Sequence, residues 1–195
     1  LRLAPPRFAL AGHSMGGRVA IEVLRQAPER LAELGLLDTG YQARAAGAAG
    51  EQEAAKRHEL LAIAREQGVR AMAQRWVLGM VHPDRLTDAA LVESVVAMFE
   101  RKGPEVFAAQ IRALLGRPDA TPTLRGVRVP TLVLCGRQDA WAPVAQHEAI
   151  AALVPGARLV VVDDAGHMSP MERPEPVARA LCDWWRSAAP MPPAA

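Results

Sequence analysis

The sequence predicts an α/β protein: a parallel sheet flanked by helices and interrupted by an inserted block of helices. Three observations lead there. Residues 8–11, 34–37, 131–135 and 158–162 are short apolar runs, the length of buried strands and too short for helices. Helical periodicity separates the first run from the second and the third from the fourth, which is the pattern of βαβ units with parallel strands. Between Tyr41 and Gly116 the helical period continues with no strand-like run.

Each element has its own signal. Residues 7–11 read as the first strand, and a helix over 15–26 stops before Pro28. The run at 34–37 is the second strand and ends at Asp38. Four helices are expected next. The first covers 51–66, before Gly68, and the second covers 69–80 and stops by Pro83. The third covers 88–102, with Thr87 as N-cap and Gly103 just past its end. The fourth covers 104–115 and opens on Pro104, which suits a first turn. After a linker over 117–130 come a strand at 131–135 and a loop at 136–141. A helix follows over 143–154, then a Pro155-Gly156 turn, a strand at 158–162, a loop at 163–170 and a last helix over 174–186.

The domain organisation follows. Residues 1–40 and 117–187 form an α/β core, 41–116 a helical cap, and 188–195 a disordered Pro/Ala tail. Met72, Trp76, Met80 and Met98, at helical spacing, read as the interior of the cap before they read as pocket wall.

The 195 residues carry 23 basic and 21 acidic side chains, for a net charge of +2, and half the chain is apolar. That is a globular composition with no electrostatic case for nucleic acid, because the basic residues are dispersed. No apolar run approaches membrane-spanning length. Cys135 and Cys182 are both expected to be buried thiols, and a cytoplasmic location is the default. No metal-ligand spacing and no phosphate loop is present, so no metal or cofactor is expected.

The chemistry concentrates at Gly12-His13-Ser14-Met15-Gly16-Gly17. A G-x-S-x-G pattern between a strand and a helix is a nucleophile elbow, a sharp turn that sets a strained serine at a helix N-terminus. Both flanking glycines are expected to relieve the crowding of that turn. In a parallel sheet, sites form beyond the C-terminal strand ends, and Ser14, Asp139 and His167 each fall in such a loop. Their order, Ser then Asp then His, is that of one triad fold and differs from the others.

On these segments, with Cys135-Gly136-Arg137-Gln138-Asp139 and Ala165-Gly166-His167-Met168 followed by Glu172-Arg173-Pro174, the chain resembles the α/β-hydrolase superfamily. It is most similar to the capped serine hydrolases, which include esterases, enol-lactonases and C–C bond hydrolases. The resemblance covers residues 7–185, with the cap matched only as a helical block.

The expected function is hydrolysis of a small-molecule carboxylic ester or lactone through an acyl-enzyme. Ser14 is the nucleophile, His167 the base and then the acid, and Asp139 the group that orients His167. The backbone N–H of Met15 is one oxyanion donor. Asp38 also ends a strand and is the rival acid, although the Gly-x-x-Asp loop favours Asp139. Asp163 and Asp164 read as loop caps or solvent-facing residues, His13 as a residue that packs beside or supports the site residues, and His58, His82 and His147 as surface or cap residues. The functional alternatives are a C–C bond hydrolase of ring-fission diketones and a ligand-binding protein without chemistry. A serine at the elbow argues against dehalogenation, which uses Asp there.

The first strand is already the nucleophile strand, whereas the resemblance implies further strands before it, one of whose loops supplies a second oxyanion donor. The sequence therefore reads as the C-terminal portion of a longer hydrolase. Expressed alone, it is expected to self-associate through an open strand edge and to be nearly inactive.

Overall fold

The computed structural model describes residues 3–187; the tail expected at 188–195 lies outside the described residues. In chain order the elements are β1 (Phe8–His13), α1 (Met15–Gln26), β2 (Leu31–Leu37), α2 (Ala48–Glu66), α3 (Val69–Trp76), α4 (Ala89–Glu100), α5 (Pro104–Leu115), α6 (Thr121–Arg125), β3 (Thr131–Gly136), α7 (Val144–Leu153), β4 (Arg158–Val162), α8 (Ser169–Glu172) and α9 (Pro174–Ser187). They fall into two compact units, one running to Tyr41 and resuming at Ala120, the other spanning Gln42–Asp119.

In the first unit the four strands pair in the order β1-β2-β3-β4, all parallel. Successive strand side chains point to opposite faces, and the core divides accordingly. Leu34, Leu36 and Val133 pack with Ala20, Ile21 and Leu24 of α1 and Ile150 of α7. Leu37, Leu132, Leu134 and Val162 pack with Val177, Ala180 and Trp184 of α9 on the other face. Because every strand runs the same way, all four C-terminal ends reach one edge of the sheet. Ser14, Asp38, Asp139 and His167 follow β1, β2, β3 and β4 there.

Strand and helix positions agree with the sequence reading within a few residues. β1 extends to His13 because its backbone keeps pairing as far as Leu37. β2 begins at Leu31 and is buried along its whole length. Two short helices, α6 and α8, lie in segments read as loops. Cys135 is buried, but Cys182 is exposed, contrary to expectation. It lines an apolar groove with Ala9, Ala11, Leu181 and Trp185, because α9 turns its Val177–Ala180–Trp184 face to the sheet.

The second unit is helical, with a core of Ala64, Met72, Phe107 and Ile111. Trp76 rings lie 5.1 Å from Phe99 and 5.2 Å from Phe107, so Met72 and Trp76 belong to this unit's interior, as their spacing suggested. Two boundaries differ from expectation. The helix opening at Val69 tightens after Trp76 into a 3-10 turn, Val77–Gly79. The cap of α4 is Asp88, whose Oδ1 accepts the Leu91 N–H at 3.0 Å. Thr87 instead donates its hydroxyl back to the Asp84 carbonyl.

Candidate active site

Ser14 sits where β1 turns into α1, with φ 54° and ψ −118°. That left-handed backbone costs a non-glycine residue about 1–3 kcal/mol and persists only when its surroundings fix it. Here they do. The Ser14 N–H donates to the Leu37 carbonyl at 2.8 Å. The Ser14 carbonyl accepts the Gly17 N–H at 3.0 Å and the Thr39 hydroxyl at 2.6 Å.

The two elbow glycines differ. A Cβ on Gly12 would lie 2.1 Å from the Gly16 carbonyl oxygen, so the close approach requires glycine at 12. A Cβ on Gly16 would meet nothing within 4 Å. Gly16 supplies the backbone that crowds Gly12 and does not itself need to lack a side chain, which corrects the expectation that both glycines relieve the turn. Gly17 is the second tight position, because its Cβ would lie 2.7 Å from the Thr39 side chain.

His167 joins the other two predicted residues. Its Nε2 lies 2.7 Å from Ser14 Oγ and its Nδ1 lies 2.8 Å from Asp139 Oδ2. A carboxylate only accepts, so Nδ1 carries the proton and Nε2 is free to accept from the serine hydroxyl. Asp139 is 3% exposed. Its second oxygen accepts the N–H groups of Trp141 and Ala142 at 2.8 and 2.9 Å, which fixes the carboxylate in one orientation. The His167 loop is tied down by Glu172, whose Oε1 accepts the N–H groups of Gly166 and Met168 at 2.9 and 3.2 Å. Met15, the predicted oxyanion donor, is the first residue of α1, where helix N–H groups have no partner within the helix.

Asp38, the rival acid, is brought close but not to His167. Its Oδ1 accepts the Gly136 N–H at 2.8 Å and its Oδ2 accepts the Ser169 hydroxyl at 2.5 Å. It thereby links the loop that carries Asp139 to the loop that carries His167. Burial pushes its carboxyl up to about 7.

His13 donates from Nε2 to the His167 carbonyl at 2.7 Å. Burial, and then the neighbouring charge of His167, bring its pKa down to about 4, so it is neutral at ordinary pH. Asp163 and Asp164 are exposed and pair with Arg137 and Arg173. His58 is exposed, and His82 accepts the Asp84 N–H at 3.1 Å through Nδ1.

His147 contradicts its reading as a surface or cap residue. It is fully buried, because α7 turns it under the end of β2, where Nε2 accepts the Thr39 N–H at 3.0 Å. Thr39, Ser169 and Glu172 are further participants that sequence reasoning did not assign. Only Glu172 left a signal, as part of the Glu-Arg-Pro segment after the histidine.

Among the described residues, no group of His, Cys, Asp and Glu could hold a metal ion. No described helix is long and apolar enough to cross a membrane.

Residues 1–180 match one family model, described as the alpha/beta hydrolase family. The chain belongs to the alpha/beta hydrolase family. This member is 29% identical over 191 residues to a pimeloyl-[acyl-carrier protein] methyl ester esterase of Aromatoleum aromaticum, covering 92% of this chain and 74% of that one. It is 27% identical over 177 residues to 3-oxoadipate enol-lactonase 2 of Acinetobacter baylyi, covering 90% and 62%. Among solved structures it is similar to a thermophilic esterase from Thermogutta terrifontis, with a TM-score of 0.85 and 32% identity over 94% of this chain and 66% of that one. This family member therefore spans about two thirds of the length of such relatives.

Proposed function

We propose that the chain carries the catalytic triad of a serine hydrolase that cleaves a small-molecule carboxylic ester or lactone through an acyl-enzyme. The observation that carries the reading is the path from Asp139 Oδ2 to His167 Nδ1, and from His167 Nε2 to Ser14 Oγ, at 2.8 and 2.7 Å. The esterase and enol-lactonase relatives support the substrate class.

A serine hydroxyl is a weak nucleophile until a base removes its proton as it attacks. In this reading His167 Nε2 takes that proton while Ser14 Oγ bonds to the substrate carbonyl carbon. The carbonyl oxygen becomes an oxyanion and is met by the Met15 N–H at the start of α1. His167, now an imidazolium stabilised by Asp139, gives the proton to the departing oxygen. Water then repeats the sequence on the acyl-Ser14 ester, returning the acid and the free serine. In a lactone the departing oxygen stays tethered, and the product is one hydroxy acid, or its keto form after an enol lactone. The helical unit at Gln42–Asp119 is read as the counterpart of the inserted helical block of capped hydrolases.

The test is labelling by a fluorophosphonate, wild type against Ser14→Ala, followed by turnover of nitrophenyl esters, lactones and a vinylogous diketone. Labelling is expected in the wild type and absent in Ser14→Ala, with esters or lactones turned over faster than the diketone. A folded wild-type protein that takes no label overturns the triad. Preference for the diketone replaces ester cleavage with C–C bond hydrolysis. Saturable ligand binding unaffected by Ser14→Ala, without turnover, makes this a binding protein.

A further inference from the structure

The C-terminal end of β2 carries none of the three triad residues, yet it controls the backbone of the nucleophile. The Thr39 hydroxyl donates to the Ser14 carbonyl at 2.6 Å, far closer than its alternative acceptor, the Gly40 carbonyl at 3.5 Å. The Thr39 N–H donates to His147 Nε2 at 3.0 Å, and His147 Nδ1 then donates to the Pro143 carbonyl at 3.3 Å. Thr39 is 2% exposed and His147 0%. A buried imidazole is costly unless its nitrogens are satisfied, and here both are.

The consequence lies one bond further along. The Ser14 carbonyl and the Met15 N–H belong to the same peptide group, which is planar and nearly rigid. Fixing the direction of the carbonyl fixes the direction of the N–H at the opposite side of that plane. The backbone at Ser14, with φ 54°, does not hold this orientation by its own preference. The Gly17 N–H also donates to the same carbonyl, and Thr39 packs directly on Gly17.

We propose that Thr39, braced by His147, is a positioning residue that sets the Ser14–Met15 peptide plane and so aims the oxyanion donor. This rests on the triad reading above. His147 acts in its neutral form, with the proton on Nδ1, and its burial favours that form. An oxyanion donor is effective only when it is aimed beforehand at the place where charge develops. The loss of Thr39's hydroxyl therefore slows acylation without weakening reversible binding.

Thr39→Val and Thr39→Ser separate the hydroxyl from the packing. Valine keeps the shape against Gly17 and removes the donor; serine keeps the donor and removes the methyl. The measurements are the maximal rate of inactivation by a fluorophosphonate at saturation, the concentration giving half that rate, and the melting temperature. Thr39→Val is expected to lower the maximal rate roughly tenfold or more, with the half-saturating concentration unchanged. Thr39→Ser is expected to stay close to wild type. A Thr39→Val protein that reacts at the wild-type rate overturns the proposal, as does a Thr39→Ser protein that falls equally far. If the wild type takes no label, the triad reading fails instead, and amide hydrogen exchange at Gly17 decides the positioning role. Faster exchange in Thr39→Val than in Thr39→Ser supports the role, and equal exchange in the two removes it.

Discussion

The indole of Trp141 stands against the imidazole of His167, with ring centroids 5.0 Å apart and planes inclined by 47°. Trp141 lies two residues beyond Asp139 and is 38% exposed. The contact bears on the proposed chemistry, because His167 becomes a cation during acylation and an aromatic neighbour stabilises a cation by about 0.5–2 kcal/mol. Trp141→Leu is expected to slow acylation roughly threefold to tenfold, with Trp141→Phe intermediate. Pre-steady-state bursts with a nitrophenyl ester measure this. Equal burst rates in all three proteins would remove the contribution.

Two carboxyls lie near the histidine, and they are expected to respond differently. Asp139→Asn presents an amide to His167 Nδ1 and disturbs the tautomer that leaves Nε2 free. The rate of ester turnover should fall by roughly 10³- to 10⁴-fold. Asp38→Asn keeps an oxygen for the Gly136 N–H and a donor for Ser169, so it should retain most activity. If the two variants lose activity equally, Asp38 shares the work of orienting His167.

Stability should depend on pH through Asp38 and His13 in opposite senses. Burial is the main cause raising Asp38 from 3.8 to about 7. Its surroundings are Ser169, the Gly136 N–H, His13 at 3.5 Å, and the charges of His167 and Asp139. The folded protein thus holds a proton that the unfolded chain has released. This stabilising contribution is complete below about pH 4 and is lost as pH rises through 7. His13 is lowered, so its contribution is complete above pH 6.5 and is lost as pH falls through about 4. Asp38→Asn removes only the first effect. Thermal melts of this variant should gain on the wild type between pH 4 and 8, by at most about 4 kcal/mol. A difference independent of pH contradicts the assignment.

The glycines of the elbow offer a contrast in stability. Gly12→Ala drives a methyl into the Gly16 backbone, which cannot give way without opening the turn. Loss of the cooperative melt is expected. Gly16→Ala meets open space inside a helix, where alanine is favoured over glycine by up to about 1 kcal/mol. Its melting temperature should be unchanged or slightly higher, and a collapse equal to that of Gly12→Ala would refute the steric account.

The helical unit has its own test. Arg117 forks onto both oxygens of Glu53 at 2.7 and 2.8 Å and also donates to the Leu114 and Gln42 carbonyls, with its side chain only 14% exposed. Arg117→Ala should destabilise by about 1–2 kcal/mol, because it removes a two-pronged contact to a partly buried carboxylate, which Arg57 continues to hold, and a contact to the Gln42 carbonyl. The Arg65–Glu105 pair is exposed on both sides, and Arg65→Ala should cost less than about 0.5 kcal/mol. Denaturant melts compare the two.

The sequence by itself determined the α/β alternation, the helical block and the places of Ser14, Asp139 and His167. Those features are local: an apolar run of strand length, a proline or glycine at a helix end, a G-x-S-x-G turn between strand and helix. Each is written in neighbouring residues and survives being read in one dimension. Between Asp38 and Asp139 the sequence favoured Asp139 through its Gly-x-x-Asp loop, although both follow strands. In the tertiary structure the β3 loop carries the Asp139 carboxylate to Nδ1 of His167, and Asp38 joins Gly136 to Ser169. His147 and Thr39 were illegible in the sequence. They lie 108 residues apart, and a buried imidazole on a helix has no sequence pattern distinguishing it from an exposed one. Their partnership exists because parallel strands deliver every loop to one edge, where distant segments must satisfy each other's buried polar groups.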